Sequence, residues 1–231
     1  MIPLKDDIVS SRFPIINTLL IAANALAFLF ELSLGQGLDR FILQVATVPE
    51  RIMVQGAGGW ASIIYSMFLH AGWAHFLGNM LYLYIFGDNV EDALGHFKYL
   101  VFYLLCGFGA AWAHILTDPG SAVPMVGASG AIAGVLGAYF LLYPKARVLT
   151  LVFLGFFIRI IKIPALVVLG FWIILQLVLG LGSLQLRGQG GGVAWFAHIG
   201  GFVCGMVLLL AMGGWRKRQN YVAKPGAFWD N

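Results

Sequence analysis

Long runs of apolar residues, separated by short polar connections, extend over most of the chain. A bilayer core of about 30 Å is crossed by a helix of about 20 apolar residues, so each long run is a candidate membrane span. The pattern predicts an all-α membrane protein built as a six-transmembrane-helix bundle. The predicted spans cover residues 14–34, 74–94, 97–116, 127–143, 163–181 and 193–212.

Two segments of mixed polarity do not fit this pattern. Residues 35–73 are interrupted by glycines and charged side chains, which favours an amphipathic or partly inserted loop. The 11 residues between Arg147 and Arg159 are too few for a crossing, so we expect an interfacial or re-entrant segment. The resulting division is an N-terminal cytoplasmic tail (1–13), a membrane domain (14–214) and a polar cytoplasmic C-terminal tail (215–231).

The composition agrees with a surface that faces lipid. The 231 residues are 60% hydrophobic and 10% charged, whereas a soluble globular domain carries about 25% charged residues. The net charge is +4, but no arginine-rich arm or basic face with interleaved aromatics occurs, so we expect no nucleic-acid partner. Cys106 and Cys204 lie in apolar runs, which favours small buried residues over a disulfide or a metal pair.

The distribution of Lys and Arg indicates the orientation of the spans, because connections on the cytoplasmic side are enriched in these residues. With the N-terminus inside, eleven of these side chains fall on the cytoplasmic side, and Arg40, Arg51 and Arg187 fall on the other. Six spans then place both termini in the cytoplasm. We expect a multi-pass protein of the inner (cytoplasmic) membrane.

Five polar residues from three distant parts of the chain are predicted to lie near the outer face. They are His70, His75 and Asn79 around the start of the second span, Ser129 at the start of the fourth and His198 early in the sixth. With a rise of about 1.5 Å per residue, each falls within about 10 Å of its helix start. Polar side chains at membrane depth are costly and normally face a cavity or one another, so we expect them to lie together.

Each of these residues has a simpler interpretation when it is taken alone. The sequence GASGAIAG (127–134) is typical of a small-residue packing face, and a single histidine such as His198 is more often a hydrogen-bonded interior residue. His70 and His75 are five residues apart, an awkward spacing for two ligands on one helical face. No HExxH sequence occurs either, so we expect no metal site.

Taken together, Ser129 and His198 can form a nucleophile and its general base. Glycines at four-residue spacing predict that the fourth and sixth helices pack closely enough for the two side chains to meet. No acidic residue flanks His198 in the sequence, so a Ser–His dyad is predicted rather than a triad. The spaced glycines are Gly130 with Gly134, and Gly201 with Gly205.

Acyl transfer also needs hydrogen-bond donors for the oxyanion of the tetrahedral intermediate. The start of the fourth helix offers the backbone N–H of Ser129 and the positive end of the helix dipole. His75 and Asn79 are one helical turn apart, so their side-chain N–H groups point the same way. These three residues form the predicted oxyanion site.

Three motifs resemble those of the rhomboid family of intramembrane serine proteases. HAGWAHFLGNMLYLYIFGDNVED (70–92) is similar to the rhomboid pattern of two histidines and an asparagine, GASGAIAG to its GxSG motif, and AHIGGFVCG (197–205) to its AHxxG motif. Their order and separation also match, and the resemblance spans residues 14–214. It implies a six-span serine endopeptidase that cleaves transmembrane helices of other membrane proteins near the outer face of the bilayer, without a cofactor.

The resemblance implies a role for each motif residue. Ser129 would be the nucleophile, His198 the general base, and His75 with Asn79 the oxyanion donors. His70 would have a supporting role, and the other supporting positions are Gly127, Gly130 and Gly201. This chain departs from many relatives by carrying Ala133 where they have an aromatic residue that stacks on the histidine, and from several by lacking a Trp–Arg pair in the first loop.

Two functions of other classes are alternatives. A catalytically inactive rhomboid-like protein that binds membrane helices would usually have lost the serine or the histidine, and this chain has both. A small transporter should show broken helices or charges near the bilayer centre. Here the predicted polar cluster lies near one face, which favours the protease.

Overall fold

The computed structural model describes residues 1–154, 157–184 and 193–215. The chain is mostly helical there, and the predicted C-terminal tail beyond residue 215 lies outside the described residues. The elements are β1 Ile2–Asp6, α1 Ile15–Ser33, α2 Leu38–Val45, α3 Pro49–Gln55, α4 Ala61–Ser66, α5 Trp73–Leu94, α6 His96–Thr117, α7 Ser129–Leu142, β2 Arg147–Leu154, β3 Phe157–Pro164, α8 Ala165–Ser183 and α9 Trp195–Ala211.

The helices α1 and α5 to α9 occupy the six apolar runs, and their ends lie within two residues of the predicted bounds. Among the described residues, α1, α6 and α8 are long and apolar enough to cross a bilayer. The helices α7 and α9 are apolar but shorter, with 14 and 17 residues. The helix α5 has 22 residues but carries Asp88, Glu91 and Asp92 in its last two turns.

The mixed segment between α1 and α5 folds into the three short helices α2, α3 and α4. The longest of them has 8 residues, which is far too short for a crossing. The segment is tied to the connection before α7, because the Met125 N–H donates to the Thr47 carbonyl at 2.7 Å. The Thr47 N–H in turn donates to the Ser66 hydroxyl at 2.6 Å. This loop is therefore packed against the part of the chain that leads into Ser129.

The all-α prediction is wrong for two segments. The strands β2 and β3 form an antiparallel hairpin, and β1, in the stretch predicted as a tail, pairs antiparallel with β2 in the order β1-β2-β3. The sequences RVLTLVFL and FIRIIKIP are rich in β-branched and aromatic residues, which suit a half-buried sheet. Alternate side chains of β2 point inward, because Val148, Thr150 and Val152 are buried while Arg147 and Phe153 are exposed.

The strand β1 is anchored to the helices by one carboxyl group. Asp6 accepts a hydrogen bond from the Tyr139 hydroxyl at 2.5 Å and one from the Asn89 side-chain amide at 2.9 Å. Asp6 is only 8% exposed. Burial raises the pKa of Asp6 from 3.8 to about 8, against the hydrogen bond from Tyr139, which lowers it. The sheet is thus fixed to the ends of α5 and α7.

The helix α7 lies at the centre of the bundle, because 11 of its 14 residues are buried. Its contact with α9 is close enough to exclude side chains: a Cβ on Gly201 would lie 2.0 Å from the Gly130 carbonyl oxygen, and a Cβ on Gly205 would lie 2.0 Å from that of Gly134. This is the packing that the four-residue glycine spacing predicts. It brings the first turns of α7 and α9 together.

Candidate active site

Ser129 is the first residue of α7, two residues after a sharp turn at Gly127. Gly127 has a φ of 124°, which L-residues with a side chain rarely adopt. Its N–H donates to the Ser66 carbonyl at 2.8 Å, so the turn is held from the loop that contains α4. As the first residue of a helix, Ser129 has a backbone N–H without an intrahelical acceptor.

His198 lies in the first turn of α9 and contacts Ser129 directly. Its Nε2 is 2.8 Å from the Ser129 hydroxyl oxygen, which is hydrogen-bonding distance. The two residues are 69 positions apart in the sequence. The serine and histidine that the sequence predicts as a dyad therefore meet, and they do so at the close α7–α9 contact described above.

The second ring nitrogen of His198 has a partner that sequence reasoning missed. Nδ1 lies 2.7 Å from the side-chain oxygen of Gln176, on α8. Gln176 is only 5% exposed. A signal for it exists in the sequence, because Gln176 is the one amide side chain in the long apolar run of α8 and buried polar groups in such runs need partners.

Two aromatic rings flank the imidazole of His198. The ring of Trp172 lies 5.8 Å away at an interplanar angle of 39°, and that of Trp195 lies 6.3 Å away in an edge-on arrangement. Ala133, the position where many relatives have an aromatic residue, is fully buried in α7. The aromatic contacts of His198 thus come from α8 and from its own helix.

His75 approaches the serine from α5. A Cβ on Gly127 would lie 2.7 Å from the His75 Nε2 and 3.6 Å from the Ser129 hydroxyl oxygen, so the absent side chain is what leaves room for the imidazole. The Ala71 N–H donates to the His75 Nδ1 at 3.3 Å. Because Nδ1 is the acceptor, the proton of a neutral His75 is on Nε2, which faces the Gly127 turn.

Asn79 lies one turn further along α5 and is buried. Its side-chain nitrogen has no hydrogen-bond partner among residues 1–154, 157–184 and 193–215. A buried donor without a partner costs free energy, and such groups call for an explanation such as a catalytic role. The amide is therefore available to an oxygen that enters the site.

A single cavity of about 710 Å³ joins these groups. Its walls include the side chains of Ser129, His198, His75 and Asn79, and Trp172 of α8. The four residues predicted as dyad and oxyanion site therefore share one space. A cavity of this volume is large enough to hold a short extended peptide segment with water.

His70 lies behind this space and not in its wall. It is 1% exposed, and its ring centroid lies 5.3 Å from that of His75. The backbone N–H of His70 donates to both carboxyl oxygens of Glu31, at 3.0 and 3.1 Å, which fixes the loop before α5 to α1.

The other two predicted supporting residues, Gly130 and Gly201, lie at the α7–α9 contact. In the described part of the chain, no group of three His, Cys, Asp or Glu side chains could hold a metal ion.

The family assignment follows from comparison with known proteins. The family model of the Rhomboid domain, which describes the sequences of that family, matches residues 57–215 of this chain. The matched range includes every motif residue described above. This chain belongs to the rhomboid family. Its apolar helices and its rhomboid relatives make it a multi-pass membrane protein. The resemblance of the chain to the rhomboid family is thereby confirmed.

Similar proteins occur in plants and bacteria. The chain is 34% identical to RHOMBOID-like protein 4 of Arabidopsis thaliana over 182 residues, 76% of this chain and 41% of that protein. It is 30% identical to the rhomboid protease GluP of Bacillus subtilis over 201 residues, 87% of this chain and 34% of that protein. Rhomboid-like protein 11, chloroplastic, of Arabidopsis thaliana is 32% identical over 139 residues, 59% of this chain and 49% of its own length. The matches span less than half of these relatives.

Proposed function

We propose that this chain is an intramembrane serine endopeptidase that cleaves transmembrane helices of other membrane proteins near the outer face of the bilayer. The observation that carries the proposal is the 2.8 Å contact between the Ser129 hydroxyl and the His198 Nε2 inside a cavity that His75 and Asn79 also line. The similarity to the rhomboid protease GluP agrees with it.

In the first step, Nε2 of His198 takes the proton of the Ser129 hydroxyl, and the oxygen attacks a carbonyl carbon of the substrate. The C–N bond of the intermediate then breaks, and His198 returns the proton to the leaving amine. A water molecule attacks the acyl-enzyme with His198 again as the base. Ser129 is thereby restored, and the second product leaves with a new carboxyl group.

The charge that develops on the substrate oxygen needs fixed donors in both steps. We assign this role to the Ser129 N–H, the Nε2–H of His75 and the side-chain amide of Asn79. The assignment is supported by the acceptor role of the His75 Nδ1 and by the unpartnered nitrogen of Asn79 among the described residues. Gly127 has a supporting role, because any side chain there would displace His75.

The substrate segment must be extended to enter the site, because the peptide bonds of a helix are shielded by their own hydrogen bonds. Segments with glycine, proline or other weak helix formers therefore suit this enzyme.

We further propose six crossings by α1 and α5 to α9, with both termini in the cytoplasm of a bacterial cell and the site toward the outer face of its inner membrane. The Lys and Arg distribution supports this orientation.

A fluorophosphonate probe tests the proposal without a known substrate, because it reacts with an activated serine. Purified wild-type protein should be labelled, and mass spectrometry should place the label on Ser129. Labelling should be lost in Ser129→Ala and in His198→Ala, and it should persist in Ser33→Ala, a matched change of an exposed serine on α1. A folded wild-type protein that never reacts would instead favour a catalytically inactive helix-binding protein.

A further inference from the structure

The buried amide of Gln176 has no part in the mechanism proposed above. Most other side chains around this point of α8 are apolar and exposed, among them Ile174, Leu175, Leu177 and Val178, as expected for a helix that faces lipid. Gln176 is 5% exposed and turned inward. An amide in such a helix is costly unless its polar atoms are paired.

The two polar atoms of this amide have different partners. Its oxygen lies 2.7 Å from the His198 Nδ1, and its nitrogen donates to the Trp172 carbonyl, one turn earlier in α8, at 3.4 Å. The opposite orientation of the amide would place its oxygen against the Trp172 carbonyl oxygen, and two acceptors repel. The hydrogen-bond pattern therefore requires that Gln176 accepts and that the His198 Nδ1 carries a proton.

This requirement decides whether the nitrogen that faces the serine carries a proton. If Nδ1 of a neutral imidazole carries the proton, Nε2 has the free lone pair. Nε2 is the atom that lies 2.8 Å from the Ser129 hydroxyl. In the other tautomer, Nε2 would carry a proton and could not accept one from the serine, and Nδ1 would face the oxygen of Gln176 with a lone pair.

We propose that Gln176 is a positioning residue that keeps His198 in the tautomer and orientation a general base needs. This rests on the proposed function of Ser129 and His198, which it extends to a Ser129–His198–Gln176 chain of hydrogen bonds. Gln176 acts through His198 and does not contact the reacting atoms. A neutral amide performs this task without the desolvation cost of an ionised carboxylate in an apolar helix.

The arrangement makes the base depend on α8. Trp172, whose ring flanks the imidazole at 5.8 Å, lies one turn before Gln176 on the same helix. Gln176 and Trp172, which contact the ring of His198, thus both lie on α8. A displacement of α8 away from α9 would remove both contacts together.

Substitution of Gln176 separates this role from packing. Gln176→Met keeps an unbranched side chain of similar volume but has no acceptor for the Nδ1 proton. Gln176→Glu keeps an acceptor for the Nδ1 proton at the same reach. The acceptor is a carboxylate oxygen in the ionised form and the carbonyl oxygen in the protonated form. The matched control is Leu177→Met, the neighbouring residue on the lipid-facing side, which is 42% exposed. Gln176→Leu replaces the methionine variant if that protein does not stay folded in a thermal unfolding assay.

Kinetics with a tagged single-span substrate give the first readout. Gln176→Met should lower kcat on the order of 10- to 100-fold and change KM less than about threefold, because ground-state binding is untouched. Gln176→Glu should recover most of kcat, and Leu177→Met should equal the wild type. Equal kcat in wild type and Gln176→Met, or a loss that Gln176→Glu does not recover, would overturn the proposal while the protease function stands.

Nitrogen-15 NMR of labelled histidine gives a readout that needs no substrate. The His198 signals, identified by their loss in His198→Ala, should show the proton on Nδ1 in the wild type and in Gln176→Glu. Gln176→Met should show a mixture of tautomers. A proton on Nε2 in the wild type would overturn the proposal, whereas the expected tautomer in a protein that cleaves nothing would keep the role of Gln176 and reject only the protease.

Discussion

Gly201 of α9 lies so close to Gly130 of α7 that a Cβ on Gly201 would be 2.0 Å from the Gly130 carbonyl oxygen. The obstacle is backbone, which cannot turn aside as a flexible side chain does. Ser129 directly precedes Gly130 on α7, and His198 lies one turn before Gly201 on α9. The two side chains are at hydrogen-bonding distance from each other. The distance between nucleophile and base therefore depends on the absence of a side chain at Gly201.

A methyl group at this contact should separate the dyad. We expect Gly201→Ala to force α9 away from α7, to cost about 1–3 kcal/mol of stability as an overpacked core does, and to reduce fluorophosphonate labelling at least tenfold. Gly182→Ala on α8 is the matched control, because a Cβ there meets nothing within 4 Å. Wild-type labelling rates in Gly201→Ala would show that the helices adjust without moving the pair.

Removal of the oxyanion donor at His75 or at Asn79 should lower the rate of the chemical step strongly and should change substrate binding little. For His75→Ala and Asn79→Ala we expect kcat to fall by about 10²–10³, the usual effect of one such donor, with a small change in KM. Gln44→Ala, which removes an exposed amide on α2, serves as the control. If kcat in Asn79→Ala equals that of the wild type, the unpartnered amide has another function.

Glu31 should be important for the shape of the site although it lies outside the cavity. Its two carboxyl oxygens accept the His70 N–H, and this bond fixes the turn that leads to His75. Glu31→Ala leaves that buried N–H without an acceptor, which should cost about 1–3 kcal/mol and lower the unfolding temperature in detergent. Glu50→Ala, an exposed residue of α3, should leave it unchanged.

The anchoring of β1 should depend on pH through Asp6. Its pKa is raised to about 8, first by burial and further by the charges of Asp88 and Asp7, while the Tyr139 hydrogen bond opposes the shift. A raised carboxyl pKa means that the folded state binds the proton more tightly than the unfolded state. The contribution of Asp6 is therefore complete below pH 4 and declines as the pH rises to about 8.

Thermal unfolding of wild type and Asp6→Asn between pH 5 and pH 9 checks this sign. The unfolding temperature of the wild type should fall relative to that of Asp6→Asn as the pH rises, because asparagine stays neutral. Asp39→Asn, an exposed residue of α2, should follow the wild type at every pH. A wild type that gains stability relative to Asp6→Asn at high pH would mean that the buried carboxyl is ionised.

The positions of the helices could be predicted because bilayer thickness sets the length of an apolar run. The meeting of Ser129 and His198 could be predicted as well, because both stand at starts of helices that run in the same direction. The sheet could not, since β1 pairs with residues more than 140 positions away and the short run at β2 has no membrane-length signal. Gln176 was missed because its contact with His198 depends on the rotation of α8, which hydropathy alone does not define.

Cleavage of a tagged single-span membrane protein in detergent tests the central claim most directly. Wild-type protein should release two fragments, with the new terminus in the part of the span near its outer boundary. Ser129→Ala and His198→Ala, at equal amounts of folded protein, should release none above background. Fragments produced equally by wild type and His198→Ala would contradict the account, because Ser129 would then need no base at position 198.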